Sequence, residues 1–560
     1  MSHRDLYSTR DDDSGCGFTL GQTIPYLRRR LAFTAADKFG AMVAHQDIAR
    51  MGLTLDSVVG MDVLVQSRTD STSGELDLAL AELRGDYPDK AIEMHDATEL
   101  LSLAGRRNYV FPIDGANFLK LCSARRSNPG LRFPASVVIH AVPGHHQIEP
   151  CILALLFAQP YDVLVVSSEQ ARLALEVTME AAADIIGKIS TTKTRSLQTV
   201  KIPLCVDTEF IHKGDGVSER EALGLTPHDL VLLYVGRLSA SYKADLEPLL
   251  RVFQQLCEKT PSLKLILAGR DDERPYAPEL VQLAVDLGIR DHVTVLPNFP
   301  FNLKPALLSA ADIFVSPVDN IQESFGLSII EAMAAGLPVI ASDWSGYRDL
   351  IVHGETGLLV ETYWDGQTAT ILSTTASMAQ SGLAESLLSR VTIVSSRSLF
   401  QCLELVIDNQ DLRKALGIAG RRRAERLFSM RVVADQYEAL WKAQWRKMRR
   451  QPNIRSAGPS IDFNTVFGHF ASHHIADEML LSCSRQGREL LSNADTCAHK
   501  IPPEFDRRNM ERAIAICADS PQPLKKLCGD SGASRQLLLW LLKKGHLETT
   551  ECVQLQPDRR

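Results

Sequence analysis

The sequence predicts an α/β protein with two doubly wound lobes facing a cleft, followed by a C-terminal segment that is mostly helical. Three observations predict it. Short, unbroken apolar runs such as 230–235 and 313–316 recur between helical stretches, which is how strands covered on both faces of a parallel sheet read. This strand–helix rhythm occurs twice, before and after about residue 205, and each occurrence is long enough for one doubly wound lobe. Beyond Pro452 and Pro459 the rhythm stops and helical patterns take over.

Bulk composition narrows the classes. With 560 residues, 45% hydrophobic and 23% charged, the chain can build several soluble cores. Its net charge of −7 offers no basic field for nucleic acid, so no nucleic-acid partner is expected. The cysteines number eleven and form no CxxC pair, which fits free thiols in a reducing compartment. The polar start Met1-Ser-His-Arg-Asp-Leu-Tyr7 lacks the apolar centre of a signal peptide. Apolar runs such as 152–158 are far shorter than the roughly 20 residues that span a bilayer. A cytoplasmic location is expected, with room for peripheral contact at the inner face of a membrane.

Residues 1–30 are polar, carry Asp11, Asp12 and Asp13, and are expected to be an irregular N-terminal arm. The first lobe is expected over 31–205, with strands at 62–66, 136–140 and 162–167 and a helix from Ser168. The second lobe is expected over 206–450. Its strands fall at 230–235, 264–268, 292–296, 313–316, 338–342 and 357–360, with helices at 247–259, 278–287, 306–311 and 327–335. Gly336 closes the last of these as a left-handed terminator. Residues 366–405 read as helical, and two strong helices at 411–428 and 429–448 end the lobe. Residues 460–560 form a helical accessory domain, either winged-helix-like or all-helical, whose most apolar helix is Arg535-Gln-Leu-Leu-Leu-Trp-Leu-Leu-Lys-Lys-Gly-His546.

Four charged residues and one helix start carry the candidate chemistry. Arg237 and Lys243 follow the first strand of the second lobe, just after Gly236. There they can grip phosphate oxygens, arginine as a fork and lysine as a point charge; the plain alternative is two solvated cations. Phe325, Gly326 and Leu327 begin a helix, where free amides and the helix dipole favour phosphate. Glu331 lies about one turn into that helix, placed to take both hydroxyls of a ribose. Glu323, on the preceding loop, can take sugar hydroxyls. The plain alternative is an acid favoured by the dipole and an exposed helix glutamate. Together these are the parts that a nucleotide-diphosphate sugar requires.

The run Glu323-Ser-Phe-Gly-Leu-Ser-Ile-Ile-Glu331-Ala-Met-Ala-Ala-Gly336-Leu-Pro-Val-Ile-Ala-Ser342 resembles the signature of family 4 glycosyltransferases of the GT-B fold. Gly236-Arg-Leu-Ser239, Leu267-Ala-Gly269, Ala311-Asp-Ile-Phe-Val-Ser316 and His353-Gly-Glu-Thr-Gly-Leu-Leu-Val360 are similar to that family in the same order. Tyr161-Asp-Val-Leu-Val-Val-Ser-Ser168 and Ile202-Pro-Leu-Cys-Val-Asp-Thr-Glu-Phe210 resemble its interlobe region. The resemblance is strong over about 200–365, weaker over 100–200 and absent after about 450.

It implies two Rossmann-like domains and a retaining transfer from a nucleotide-sugar, with no essential metal or other cofactor. Arg237 and Lys243 would hold the diphosphate, Glu331 the ribose and Glu323 the donor sugar. The amides around Phe325, Gly326 and Leu327 would hold phosphate or sugar oxygens. Leu296, Pro297 and Asn298 would line the base pocket. His140, ending a first-lobe strand, would face the donor sugar or the acceptor, and His145 and His146 follow it. Two departures stand out. Six positions separate Arg237 from Lys243, one more than the commonest family spacing. The first lobe also lacks an obvious first strand with a double-glycine loop, leaving Asp114-Gly-Ala-Asn117 as the segment that lines its face.

The acceptor, whether glycan, lipid-linked or a small molecule, is not written in these motifs. An epimerase or hydrolase of the same fold, and a non-catalytic sugar-nucleotide-binding scaffold, are the alternatives. The run Trp441-Lys-Ala-Gln-Trp-Arg-Lys-Met-Arg-Arg450 is basic and aromatic. It reads either as an anionic-lipid contact or as a final helix packed on the first lobe. The C-terminal segment is a candidate for self-association. Its His473, His474, Cys483, Cys497, His499, Cys517 and Cys528 match no zinc-finger spacing.

Overall fold

The computed structural model describes residues 17–22, 40–65, 73–104, 106–128, 130–140, 148–189, 197–211, 216–271, 275–378, 383–451, 475–492 and 505–550. The chain divides into two compact units, Met1–Ser460 and Ile461–Arg560.

The first unit holds two parallel sheets. The first has seven strands in the order β3-β2-β1-β4-β5-β6-β7. They are β1 Phe18–Gln22, β2 Val58–Val65, β3 Ala91–Asp96, β4 Tyr109–Asp114, β5 Ala135–Ile139, β6 Val163–Val166 and β7 Gln198–Lys201. The expectation of an irregular arm over 1–30 is corrected here. Phe18-Thr-Leu-Gly-Gln22 is a strand inside the sheet, paired with β2 on one side and β4 on the other. Thr19 and Gly21 interrupt the apolar run, so its strand character comes from its neighbours rather than its composition. The flanks of this strand, with Asp11, Asp12 and Asp13, lie outside the described residues.

The second sheet has six parallel strands in the order β10-β9-β8-β11-β12-β13. They are β8 Leu230–Val235, β9 Leu263–Gly269, β10 Val293–Pro297, β11 Ile313–Ser316, β12 Val339–Ser342 and β13 Leu358–Val360. Helices Glu247–Lys259, Ala277–Asp286, Lys304–Ala310 and Leu327–Ala334 connect them, within two residues of their expected bounds. Strands such as β8 and β11 are buried almost throughout, as their unbroken apolar runs require. The stretch 366–405, expected to be helical, contains a strand as well. β14 Thr362–Trp364 pairs antiparallel with β15 Thr392–Val394.

Helix Met430–Arg450 crosses back from the second lobe. Val433, Ala434, Tyr437, Leu440 and Trp441 enter the core of the first lobe, following the helical repeat. Gln444 Nε2 donates to the carbonyls of Ala135 (2.9 Å) and Tyr161 (3.0 Å), and its Oε1 accepts from Ser136 Oγ at 2.8 Å. Trp441 is fully buried and Trp445 packs on Phe18. The aromatic half of this basic run is thus packed on the first lobe, as the second of its two readings expects, while Lys442, Lys447, Arg449 and Arg450 face solvent. Among the described residues no helix is long and apolar enough to cross a membrane.

The second unit, taken by itself, is mixed rather than all-helical. β16 Leu480–Cys483 lies between β17 Gln522–Pro523 and β18 Leu547–Thr549 in an antiparallel sheet. Helices Arg507–Asp519, Leu524–Ser531 and Arg535–Lys543 cover it with Met510, Ile514, Leu527, Leu538 and Leu541. Cys483 and Cys517 are buried in that core; His473, His474, Cys497 and His499 lie outside the described residues.

Candidate donor-binding site

The site forms where β8, β9, β10 and β11 end at one edge of the second sheet, the edge at which doubly wound folds bind ligands. β8 and β9 cross closely there. A Cβ at Gly269 would fall 1.6 Å from the Gly236 carbonyl oxygen, so only glycine fits. Tyr234 Oη donates to the Arg237 carbonyl at 3.1 Å, and the Leu238 amide to the Arg270 carbonyl at 2.7 Å. These bonds fix the backbone from which Arg237 projects.

The next turn carries Lys243, whose amide and that of Ala244 both donate to the Ser239 carbonyl at 3.1 Å. Lys243 Nζ pairs with Glu323 Oε2. Tyr347 Oη lies 3.4 Å from the same oxygen and 2.9 Å from Ser316 Oγ. Burial, reinforced by the charge on Glu323, pushes the Tyr347 phenol well above its ordinary value, so it donates to that carboxylate.

Past β11, Asp319 and Asn320 are buried under the Lys243 turn. Asn320 Nδ2 donates to the Ser241 carbonyl at 2.7 Å, and Asp319 Oδ2 accepts from the Asp245 amide at 3.4 Å. Burial pushes the Asp319 carboxyl up to about 7; the Asp245 amide opposes this and the Asp245 carboxylate adds to it.

Gly326 has φ of 109° and precedes helix Leu327–Ala334. A side chain there would strike the Tyr347 ring at 2.4 Å, and the backbone angle itself favours glycine. The Phe325 amide donates to Glu323 Oε1 at 3.3 Å. Of the three amides expected to meet phosphate, this one is engaged by the neighbouring acid. Glu331 is buried, with Lys304 Nζ 2.7 and 2.9 Å from its two oxygens.

Leu296 and Pro297, expected at a base pocket, end β10, and Asn298 follows at φ 53°. The Asn298 amide donates to the Gly269 carbonyl at 2.7 Å, and its Oδ1 accepts from the Asp271 amide at 3.1 Å. All three sit on the same sheet edge as Gly269.

The first lobe reaches this edge through Ser324. Ser324 Oγ donates to the His140 carbonyl, and the Ser324 carbonyl accepts from Ser168 Oγ at 2.6 Å. His140 is thereby bonded to the residue next to Glu323. Its ring meets His45 edge-on with centroids 4.5 Å apart. Burial, then the neighbouring His45, lowers His140 to about 3; burial lowers His45 to about 4 against the opposing charge of Asp114. Both rings are neutral at physiological pH. Asp114 caps helix Gly115–Ser127 by accepting from the Asn117 amide at 2.8 Å. His145 and His146 lie outside the described residues.

Asp62, Glu93 and His95 bring ligand atoms within 4.8 Å of one another in the first lobe. Arg107 already pairs with Asp62 and, at 2.6 Å, with Glu93, and the Tyr109 hydroxyl bonds Asp62. A guanidinium occupies the cation's place, so the group is an ion network.

The expected residues Arg237, Lys243, Glu323, Phe325, Gly326, Leu296, Pro297 and Asn298 therefore lie on strand ends and the loops after them, Leu327 and Glu331 lie on the helix that follows, and His140 is bonded to this loop from the other lobe through its carbonyl. Sequence reasoning missed Lys304, Asp319, Asn320, Tyr347 and His45. A signal existed for Asp319 and Asn320, two polar residues just after a buried strand in a ligand-facing loop. Lys304 had none, being one lysine ahead of an ordinary short helix.

Residues 218–375 match the family described as Glycosyl transferases group 1. The D-inositol 3-phosphate glycosyltransferase of Nocardia farcinica is 35% identical over 165 residues, covering 28% of this chain and 35% of that one. Its counterpart in Rhodococcus erythropolis is 34% identical over 175 residues, covering 30% and 39%. The chain thus spans well under half the length of these relatives. Among solved structures, HepE of Anabaena in complex with UDP has 18% identity and a TM-score of 0.53, covering 76% of this chain and 100% of that one. A glycosyltransferase from Rickettsia africae has 14% identity and a TM-score of 0.54, covering 78% and 100%. At such identities the likeness speaks to fold. Residues 218–375 thus match the group 1 glycosyltransferases, within a two-lobed unit whose fold is of the GT-B type.

Proposed function

We propose that the chain transfers a sugar from a nucleotide-diphosphate sugar to an acceptor hydroxyl, with retention at the anomeric carbon. The observation that supports this reading is the pairing of Lys243, on the Arg237 loop after β8, with Glu323, on the loop after β11, while Glu331 on the following helix pairs with Lys304. In this reading Arg237 and Lys243 neutralise the diphosphate as it leaves, stabilising charge that grows in the transition state. Glu331 accepts from the ribose hydroxyls and Glu323 from hydroxyls of the sugar. The acceptor oxygen bonds to the anomeric carbon on the face from which the diphosphate departs. The bond from that carbon to the phosphate oxygen breaks, and the acceptor proton passes to the departing diphosphate. His140, neutral, is a hydrogen-bonding group toward sugar or acceptor. HepE was solved with UDP bound, which supports a uridine donor as the first to try. The inositol phosphate named for the relatives supports a polyol acceptor.

A thermal-shift screen across nucleotide sugars identifies the donor, because a ligand that binds only the folded state raises its melting point. Arg237→Ala and Glu331→Ala should each lower transfer about 100-fold or more while the protein stays folded. Near wild-type turnover in both would remove the mechanism. A product of inverted configuration would remove retention, and equal sugar release with and without acceptor would favour a hydrolase.

A further inference from the structure

We propose that Asn320 is a positioning residue for the second cation of the donor site: its side-chain amide ties the Lys243 turn to the Glu323 loop and so sets where Lys243 meets a diphosphate. This rests on reading the edge as a donor site.

Lysine is a point charge on a flexible stem, so the place of its ammonium depends on where its backbone is held. The turn has weak anchors of its own. Two successive amides share the Ser239 carbonyl, and the Tyr242 amide reaches Ser239 Oγ at 3.3 Å. The tie from below is stronger. Asn320 is fully buried, and both its side-chain oxygen and its side-chain nitrogen are bonded. Nδ2 donates to the Ser241 carbonyl at 2.7 Å, and Oδ1 accepts from the Gln322 amide at 2.9 Å. Its carbonyl accepts from the Glu323 amide at 3.3 Å and from Trp344 Nε1 at 3.0 Å. Asp319 holds the Asp245 amide. The turn is therefore held firmly at Ser241, two residues before Lys243, and more loosely at Asp245, two residues after it, and both contacts come from the loop that carries Glu323.

The turn that carries Lys243 has freedom of its own, and a buried amide reaching up from the neighbouring loop removes it. An apolar residue at 320 would fill the space without setting the register of the turn.

Asn320→Asp is the informative change. It keeps the acceptor for Gln322, replaces the donor by an oxygen facing the Ser241 carbonyl, and alters no group that touches a diphosphate. Affinity for UDP and UDP-glucose is measured by calorimetry on the full chain for wild type, Asn320→Asp, Lys243→Ala and the double variant, with melting points as the folding check. If Asn320 acts through Lys243, Asn320→Asp weakens binding about tenfold and the double variant matches Lys243→Ala within about twofold, the signature of coupled residues. Wild-type affinity in Asn320→Asp, or losses that simply multiply in the double variant, overturns the proposal. If Asn320→Asp does not fold, Asn320→Ala completes the same cycle under the same criteria. A wild-type protein that binds no nucleoside diphosphate overturns the donor reading itself, a different outcome from a bound nucleotide indifferent to Asn320.

Discussion

Replacing Lys304 by methionine separates stability from donor binding at Glu331. The pair is enclosed: the two side chains are 15% and 11% exposed, and Lys304 Nζ reaches both carboxylate oxygens. Removing one partner of a buried pair costs about 3–5 kcal/mol, because the other charge remains buried alone. The small residual exposure lets water reach Glu331, which lowers the figure to about 2 kcal/mol. Methionine preserves most of the lysine stem, so little packing is lost. For a domain of this size the melting point should fall by roughly 4–8 °C. Glu331→Gln should cost less, about 1 kcal/mol, since a lysine stem can turn its ammonium toward solvent. The double variant has no unpaired charge and should recover most of the stability, a positive coupling. It should not recover donor binding, because the carboxylate proposed to take the ribose is gone. Scanning calorimetry and UDP-glucose titration of the four proteins test this. A Lys304→Met protein with the wild-type melting point, or a double variant with wild-type donor affinity, would refute the reasoning.

Two further outcomes follow from buried groups. The Asp319 carboxyl sits at about 7 against an ordinary 3.8, so between those values the folded state keeps a proton that the unfolded chain has released. Stability conferred by that proton is lost as pH rises through the interval and levels off above about 7. Asp319→Asn should therefore gain on the wild type from pH 5 to pH 8, by on the order of 2–4 kcal/mol; a difference that does not vary with pH in melting curves would contradict it. Trp441→Ala empties a fully buried site against Tyr437 and should cost about 3–5 kcal/mol, with UDP affinity of the folded protein unchanged. If instead it leaves the melting point alone and abolishes flotation with anionic liposomes, the helix is an interfacial element.

The second lobe was legible as far as about residue 360 because the signals there agree; beyond it, β15 stood hidden in a stretch that reads as helical. Its strands are unbroken apolar runs, Gly236, Gly269 and Gly326 stand where backbones touch or turn, and Arg237, Lys243 and Glu323 follow strand ends. Residues such as Leu249, Leu250 and Phe253 on helix Glu247–Lys259 also fall on the helical repeat. The first lobe was harder to read for reasons that are also physical. Glu93 and His95 lie within β3, where Arg107 pairs with Glu93 and His95 faces Glu93 and Asp62. Composition alone argues against placing such polar residues in a sheet until their partners are known. β1 depends on its flanking strands in the same way. Lys304 shows the limit for the site: an ion pair between residues 27 apart leaves no local pattern.

The same limit applies to Ser324, where the two lobes meet at the candidate donor site. The family match covers residues 218–375, yet both first-lobe partners of Ser324, His140 and Ser168, lie outside it. They sit at the ends of β5 and β6, and Ser324 separates Glu323 from Phe325. Two further contacts, the Glu169 amide at 2.7 Å and Lys201 Nζ at 3.2 Å from Asp349, tie the lobes nearby. A typical hydrogen bond contributes about 0.5–1.5 kcal/mol net, so the pair on Ser324 is worth roughly 1–3 kcal/mol. That is enough to bias the Glu323 loop toward one position and too little to hold the lobes together against ligand exchange. The placement of Glu323 is thus a property of both lobes, although every charged residue expected to hold the donor comes from one.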